Sequence, residues 1–258
     1  MVATNSTSSL IGDRGPVRYG WRARLGMLLP SGNVAAEPQF NAMLPEGVAL
    51  HTTRLKLTGS TDAELMAMTE RLDEGASLLA DACADLILFH CTAVTMWDAK
   101  MDAALPRRIT EATGIKATST ARGVLAAFRA LGARNIVLVS PYIDAINARE
   151  TAFLEGRQIK VLSATGLGIT EAKDMAKVEP GEWYRLVRSK AVPEADAYFV
   201  SCTAVRSLEA IDMLERDLGK PVVTSNQAAV WHSLRELGIT DNVAGCGRLM
   251  TLDGGPSG

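Results

Sequence analysis

Cys91-Thr92-Ala93-Val94 recurs intact as Cys202-Thr203-Ala204-Val205, 111 residues further along the chain. Each copy directly follows an apolar, strand-sized run, Leu86 to His90 in the first case and Ala197 to Ser201 in the second. An earlier pair of landmarks keeps the same spacing: Leu28-Leu29-Pro30-Ser31 answers Leu138-Val139-Ser140-Pro141-Tyr142, with Pro30 and Pro141 again 111 apart. Downstream, Ala117-Thr118-Ser119-Thr120 answers Val223-Thr224-Ser225-Asn226, and Leu131-Gly132 answers Leu237-Gly238, both at a spacing of 106, so a short deletion intervenes. Independent landmarks sharing one offset mark an internal duplication.

Working outward from these landmarks, continuous apolar runs alternate with helical spacing, the pattern of βαβ units and a parallel sheet. Strands are predicted near Leu25-Leu29, Ala49-Leu55, Leu86-Phe89, Lys116-Thr118, Asn135-Val139, Lys160-Ser163, Ala197-Val200 and Val222-Thr224. The clearest helix is predicted from Thr61 to Cys83, with Leu65, Met68, Leu72, Ala76, Leu79 and Ala80 on one face and Thr61 with Glu64 as a capping box. Equivalent helices are expected over Val124-Leu131 and Val230-Leu237, each stopped by a glycine, Gly132 or Gly238. The fold class is therefore α/β: two doubly wound parallel-sheet domains related by a pseudo-twofold axis and joined edge to face, with the active site in the cleft between them. The expected division is a flexible N-terminal arm over 1–20, a first half over 21–120, and a second half over 121–225. The C-terminal segment 226–250 is expected to pack back on the first half.

Of 258 residues, 47% are hydrophobic and 22% charged, which suits a globular chain with a substantial core. Lys and Arg together number 27 against 29 for Asp and Glu, a net charge of -2 that offers no basic field for a phosphate backbone. Nucleic acid is excluded as a partner on that ground. The longest apolar runs are strand-sized and too short to span a bilayer, so no membrane association is expected. Met1 to Gly20 contains no apolar core of a signal peptide, and the expected compartment is the cytoplasm. In that reducing setting the four cysteines are expected to be free thiols. No Gly-x-Gly-x-x-Gly, Gly-x-x-x-x-Gly-Lys or Cys-x-x-Cys pattern is present, so no nucleotide cofactor and no metal are expected.

Both repeated cysteines stand where a strand ends, the edge of an α/β sheet at which ligands bind. With a helix starting next to each, backbone amides and the helix dipole would favour an anion and lower a thiol pKa from ~8.5 toward roughly 3.5–7.5. A thiolate facing a thiol across a cleft supplies a base or nucleophile on one side and an acid on the other. The surrounding donors suit a carboxylate: the Thr92 and Thr203 hydroxyls, Ser31, Gly32 and Asn33, Tyr142, and the amides of the cysteine loops, including that of Ala93. Asn33 also fits a plain helix cap, and Tyr142 a loop anchor. Cys83, on the apolar face of the long helix, and Cys246 read as small core hydrophobes. His232 lies well inside a helix and reads as structural.

These residues resemble the aspartate/glutamate racemase superfamily, and within it the maleate cis-trans isomerase and arylmalonate decarboxylase branch. The resemblance is carried by Leu29-Pro30-Ser31-Gly32-Asn33 with Glu37, the two Cys-Thr motifs, Pro141-Tyr142-Ile143, and Val222 to Ala228 followed by Trp231-His232, and it spans roughly 24 to 249. It implies a cofactor-independent isomerase in which Cys91 adds to the alkene of maleate, giving a succinyl-cysteine that rotates and eliminates to fumarate. Cys202 is then the acid/base partner, and Asn33 and Tyr142 hold carboxylates. Arylmalonate decarboxylase is similar across Tyr142-Ile143-Asp144 with Asn147, Arg149 and Ala152-Phe153-Leu154, but has glycine at the position of Cys91. Maleate isomerases usually carry an asparagine in the loop matching 170–174, and none stands there. That leaves open an amino acid, a hydantoin-like ring or a substituted dicarboxylate as substrate, with racemisation or decarboxylation as the reaction. A carboxylate-binding protein without turnover is the non-enzymatic alternative. The implied partners are a small dicarboxylate or related carboxylate and further copies of the chain, as a dimer or tetramer.

Overall fold

The computed structural model describes residues 19–254, apart from 58 and 60. The arm expected over 1–20 thus falls, but for its last two residues, outside the described residues. Among the described residues eight strands are present: β1 (Ala23–Pro30), β2 (Val48–Leu55), β3 (Leu86–Phe89), β4 (Ala117–Ser119), β5 (Asn135–Ser140), β6 (Lys160–Gly166), β7 (Ala197–Val200) and β8 (Val222–Thr224). Between and after them run α1 (Ala36–Met43), α2 (Asp62–Ala67), α3 (Leu72–Asp81), α4 (Thr92–Thr95), α5 (Ala99–Thr113), α6 (Thr120–Leu131), α7 (Asp144–Glu155), α8 (Ala172–Met175), α9 (Pro180–Ser189), α10 (Ile211–Leu218) and α11 (Ser225–Glu236). Each predicted strand has its counterpart, because buried parallel strands read as unbroken apolar runs.

All strand pairs are parallel, in two sheets of order β2-β1-β3-β4 and β6-β5-β7-β8. The second order is the first with every index raised by four, which is the duplication seen in space. Individual bonds repeat at the 111-residue spacing. His90 N donates to Leu28 O at 2.9 Å, and Ser201 N to Val139 O at 2.9 Å. Arg24 N donates to Asp85 Oδ2, and Asn135 N to Asp196 Oδ2, both at 2.8 Å.

The halves meet through helices, not through an edge-to-face contact of the sheets. α6 packs along α11, and one core cluster runs from Leu25, Phe40 and Leu86 through Val124 and Val230 to Ile136 and Phe199. Phe128 on α6 meets Phe199 of β7 edge-on, with centroids 5.7 Å apart. Gly123 permits this approach: a Cβ there would lie 3.0 Å from Ala228 O and 3.1 Å from Ala229 Cα, both backbone atoms of α11. Gly123→Val is accordingly expected to cost about 1–3 kcal/mol by overpacking. Thermal unfolding of the variant checks this, and an unchanged midpoint would refute it.

Two features of the long helix differ from expectation. Instead of one helix over 61–83 there are two, α2 and α3, with a turn between them. The Thr61/Glu64 capping box is present at the start. At the turn Thr69 Oγ1 bonds back to Met66 O, and Arg108 of α5 donates to Thr69 O at 2.9 Å. A local side-chain bond and a cation from a remote helix thus satisfy backbone groups that the continuous helix would have paired. Gly75 of α3 sits close against Leu55 and Leu28. Cys83, expected in the core, lies beyond the end of α3, exposed and at a φ of 54°. Cys246 is buried as expected.

Candidate active site

Cys91 follows β3 and occupies the N-cap position of α4, with extended backbone. The amides of Ala93 and Val94 are directed at its sulfur. Cys202 follows β7, yet no helix begins at the next residue, since 203–205 form a turn. Its φ of 102° lies in the region that favours glycine, so the backbone there is strained and must be held by its neighbours. Cys202 N donates to Ser225 Oγ at 3.1 Å, and Ala204 N approaches Cys202 Sγ at 3.3 Å.

The first residues of α11 tie the two motifs together. Thr92 Oγ1 donates to Ser225 Oγ at 2.9 Å, so one serine holds both cysteine loops. Asn226 Nδ2 donates to Thr203 O at 3.2 Å, while its Oδ1 bonds His90 Nε2 at 2.8 Å. His90 also bonds Thr120 Oγ1 at 3.0 Å and stands edge-on to Phe40. Burial depresses His90 to about 4 and leaves the ring neutral. Structural support, not ligation, is its task. His232, half-buried, bonds Thr118 Oγ1 at 3.0 Å.

Cys91 and Cys202 line one cavity of about 40 Å³, together with Asn33, Ala93, Tyr142 and Thr203. Leu57, Leu65 and Met175 supply an apolar wall, with Met175 Sδ 3.8 Å from Cys202 Sγ. Asn33 does two things: Oδ1 accepts from Ala35 N and Ala36 N at the entry to α1, and Nδ2 donates to Thr203 Oγ1 at 3.1 Å. Arg54 of β2 holds this loop from behind through Ser31 O and Asn33 O and pairs with Glu37. Tyr142, 4% exposed, points its phenol at Cys202. Its backbone needs Gly166, where a Cβ would fall 2.0 Å from Tyr142 O. Ser31 and Thr92 are not among the lining residues. Ser31 Oγ is tied to Leu57 N and O, and Thr92 to Ser225. A larger groove of about 640 Å³ between α6 and α11, with Arg122, Arg129 and His232, holds no cysteine.

Electrostatics overturn one expectation. Burial pushes both Cys91 and Cys202 up to about 12, outweighing the amides that favour their thiolates. α4 has only four residues and a correspondingly small dipole, and burial disfavours charge. Tyr142 is raised as well, first by burial and then by the acidic groups around it. At neutral pH the cleft therefore holds two neutral thiols. Iodoacetamide at neutral pH is expected to label the exposed Cys83 before Cys91 or Cys202, the reverse of what activated thiolates would show. Peptide mass spectrometry over a time course checks the order. Prior labelling of Cys91 would refute it.

Sequence reasoning missed Glu150 of α7. It is 1% exposed, accepts from Ser201 Oγ at 2.6 Å, and burial raises it to about 8. Its signal was available in the helical spacing, because Ile146, Glu150, Phe153 and Leu154 share the buried face. Also missed were the apolar wall and the bridging role of Ser225. Among the described residues no group of three or more His, Cys, Asp or Glu is placed to hold a metal. No described helix is long and apolar enough to cross a membrane.

With this geometry in hand, the likeness to known proteins has a structural meaning. The arylmalonate decarboxylase family model matches residues 25–250. An arylmalonate decarboxylase from Bordetella bronchiseptica is 32% identical over 83% of this chain and 90% of that protein. A maleate isomerase from Geobacillus stearothermophilus is 27% identical over 88% of this chain and 97% of that protein. Among solved structures, a cysteine-to-serine mutant of the Nocardia farcinica maleate cis-trans isomerase, with a covalently bound succinylcysteine intermediate, superimposes with a TM-score of 0.84. It is 24% identical and covers 89% of this chain and 98% of that one. Matched over its whole described core, with two parallel sheets and a cysteine at the end of each third strand, the chain belongs to the arylmalonate decarboxylase family of the aspartate/glutamate racemase superfamily.

Proposed function

We propose that this protein is a cofactor-independent cis-trans isomerase of a small dicarboxylate, with maleate to fumarate as the reaction, Cys91 as nucleophile and Cys202 as acid/base. The observation that carries the reading is the convergence of both cysteines on one small cavity whose polar lining, Asn33, Tyr142 and Thr203, consists of neutral donors. Cys91 sulfur bonds to one alkene carbon as the π bond breaks, and Cys202 delivers its proton to the other carbon. The proton that Cys91 releases restores the Cys202 thiol. Rotation about the new single bond follows, then the same transfers in reverse, so atoms and protons balance. The apolar wall of Leu57, Leu65 and Met175 keeps water from the intermediate. Asn33, Tyr142, Thr203 and the Ala93 amide hold the carboxylates, while Ser31 and Thr92 act by supporting those that do.

A second reading, decarboxylation of an arylmalonate, is favoured by the family match and by the 32% identical relative. Proton NMR of maleate incubated with the protein in deuterated water separates them. Appearance of fumarate supports the isomerase. Inert maleate, with an arylmalonate losing one carboxylate and gaining one solvent deuterium on carbon, would replace it with the decarboxylase, and deuterium exchange at the α-carbon of an amino acid would point to a racemase. The reading carries with it a homo-oligomer, a dimer or tetramer, and a cytoplasmic location, which light scattering and cell fractionation test.

A further inference from the structure

Behind the cysteines lies a carboxyl that the reaction above does not use. Glu150 is buried, with Ser201 Oγ donating to Oε2 at 2.6 Å and Oε1 without a partner. The groups it meets toward the cleft are acidic or neutral: Asn147 on the same buried face of its own helix, Tyr142 from the end of β5, Ser201 and Cys202 from the end of β7, and Cys91 from the end of β3. The cation whose charge reaches it is Arg149, and that guanidinium is engaged elsewhere, 2.8 Å from Asp62 and 3.9 Å above the Trp97 ring. Among the described residues the cavity lining contains no lysine, arginine or histidine. A dicarboxylate entering it therefore adds negative charge to a buried region in which Glu150 is already poorly compensated, and uncompensated buried charge is costly.

Resting on the reading of this cleft as a dicarboxylate site, we propose that Glu150 is a positioning residue that carries a proton whenever the dicarboxylate is bound, so that substrate binding and proton uptake at this carboxyl are one linked event. The protonated carboxyl keeps its bond to Ser201, the residue before the strained Cys202, without placing a charge beside the substrate. In the empty protein burial raises Glu150 to about 8, so below that pH the proton is already present and affinity is independent of pH. Above it a proton must be taken up on binding, and affinity falls as pH rises, toward about tenfold per pH unit for one linked proton. The histidine and thiols of the cleft do not titrate across this window. His90 is neutral above about 4, and the thiols lie near 12.

The test is the KM for maleate from roughly pH 6.5 to 9.5 in the wild type and in Glu150→Gln, which keeps an acceptor for Ser201 and cannot ionise. The wild type is expected to weaken only above about 8, and the variant to give a flat profile. A flat wild-type profile, or a variant that keeps the alkaline fall, overturns the proposal. Should the variant fail to fold, calorimetry of maleate binding to the wild type near pH 9, in two buffers of unlike ionisation enthalpy, gives the same answer. Uptake approaching one proton per maleate supports the linkage, and none refutes it. If maleate and substituted dicarboxylates neither bind nor turn over at any pH, the dicarboxylate reading itself fails, a result distinct from binding without proton uptake.

Discussion

Cys91→Ala is expected to lower isomerisation by several orders of magnitude, because it removes the atom that bonds to substrate and leaves Cys202 with no thiol facing it across the cavity. Cys91→Ser should be nearly as poor, since a hydroxyl is a weaker nucleophile and still harder to ionise than a thiol that burial has raised to about 12. Cys202→Ser has a different expected outcome. Loss of a proton donor typically costs about 10²–10⁴-fold, and the covalent adduct should then outlive its formation. Intact-protein mass spectrometry of Cys202→Ser with maleate should show a mass gain of one substrate, mapped to Cys91. Equal losses in the two single variants, no adduct, and proton exchange from one enantiomer of an amino acid would retire the isomerase in favour of a racemase. The relevant asymmetry is structural. Cys91 has extended backbone and two amides at its sulfur, whereas Cys202 has a positive φ and is followed by a turn.

Asn226→Ala is expected to produce the largest loss of stability among single polar substitutions at the site. It would strip His90 Nε2 and Thr203 O of their partner at once, in a place with no exposure. Leaving buried polar groups unpaired costs about 1–3 kcal/mol each, so a total of about 2–6 kcal/mol follows. For a chain of this size that is a fall in Tm of roughly 5–15 °C. Activity should fall further than stability alone explains, because Asn226 braces the Cys202 loop against the strain of its positive φ. Differential scanning calorimetry and turnover measured well below the new Tm separate the two effects. A Tm within about 1 °C of the wild type would show that the network contributes little.

Much of the architecture was legible before any coordinates, for identifiable reasons. Buried parallel strands such as Leu86–Phe89 and Ala197–Val200 are unbroken apolar runs, and their ends agree with the structure because each stops at a polar motif. The repeat located the cysteines at equivalent sheet edges, and bonds at the same spacing, such as His90 N to Leu28 O and Ser201 N to Val139 O, show the same frame twice. Glycine stops after α6 and α11 were readable too, with φ of 65° at Gly132 and 71° at Gly238. All of these are properties of neighbours in the chain, where spacing and chirality act directly.

What could not be read from the chain depends on remote groups. The break between α2 and α3 is stabilised by Arg108, 39 residues from Thr69, and no local periodicity contains that partner. Ser31 and Thr92 look like carboxylate donors in sequence, but Leu57 and Ser225 turn their hydroxyls into scaffolding. The two Cys-Thr-Ala-Val copies are identical in residues and differ in backbone, since a helix follows one and a turn the other. Thiol acidity shows the distinction most sharply. A cysteine at the head of a helix reads as activated, yet burial beneath groups such as Leu57, Leu65 and Met175, drawn from three separate segments, raises both thiols. The residue types and their order along the chain determined the duplicated sheets and the place of the cysteines. Their protonation, and the role left for Glu150, follow from the dielectric made by distant parts of the chain, because a charge responds to everything packed around it whereas a strand responds chiefly to its own sequence.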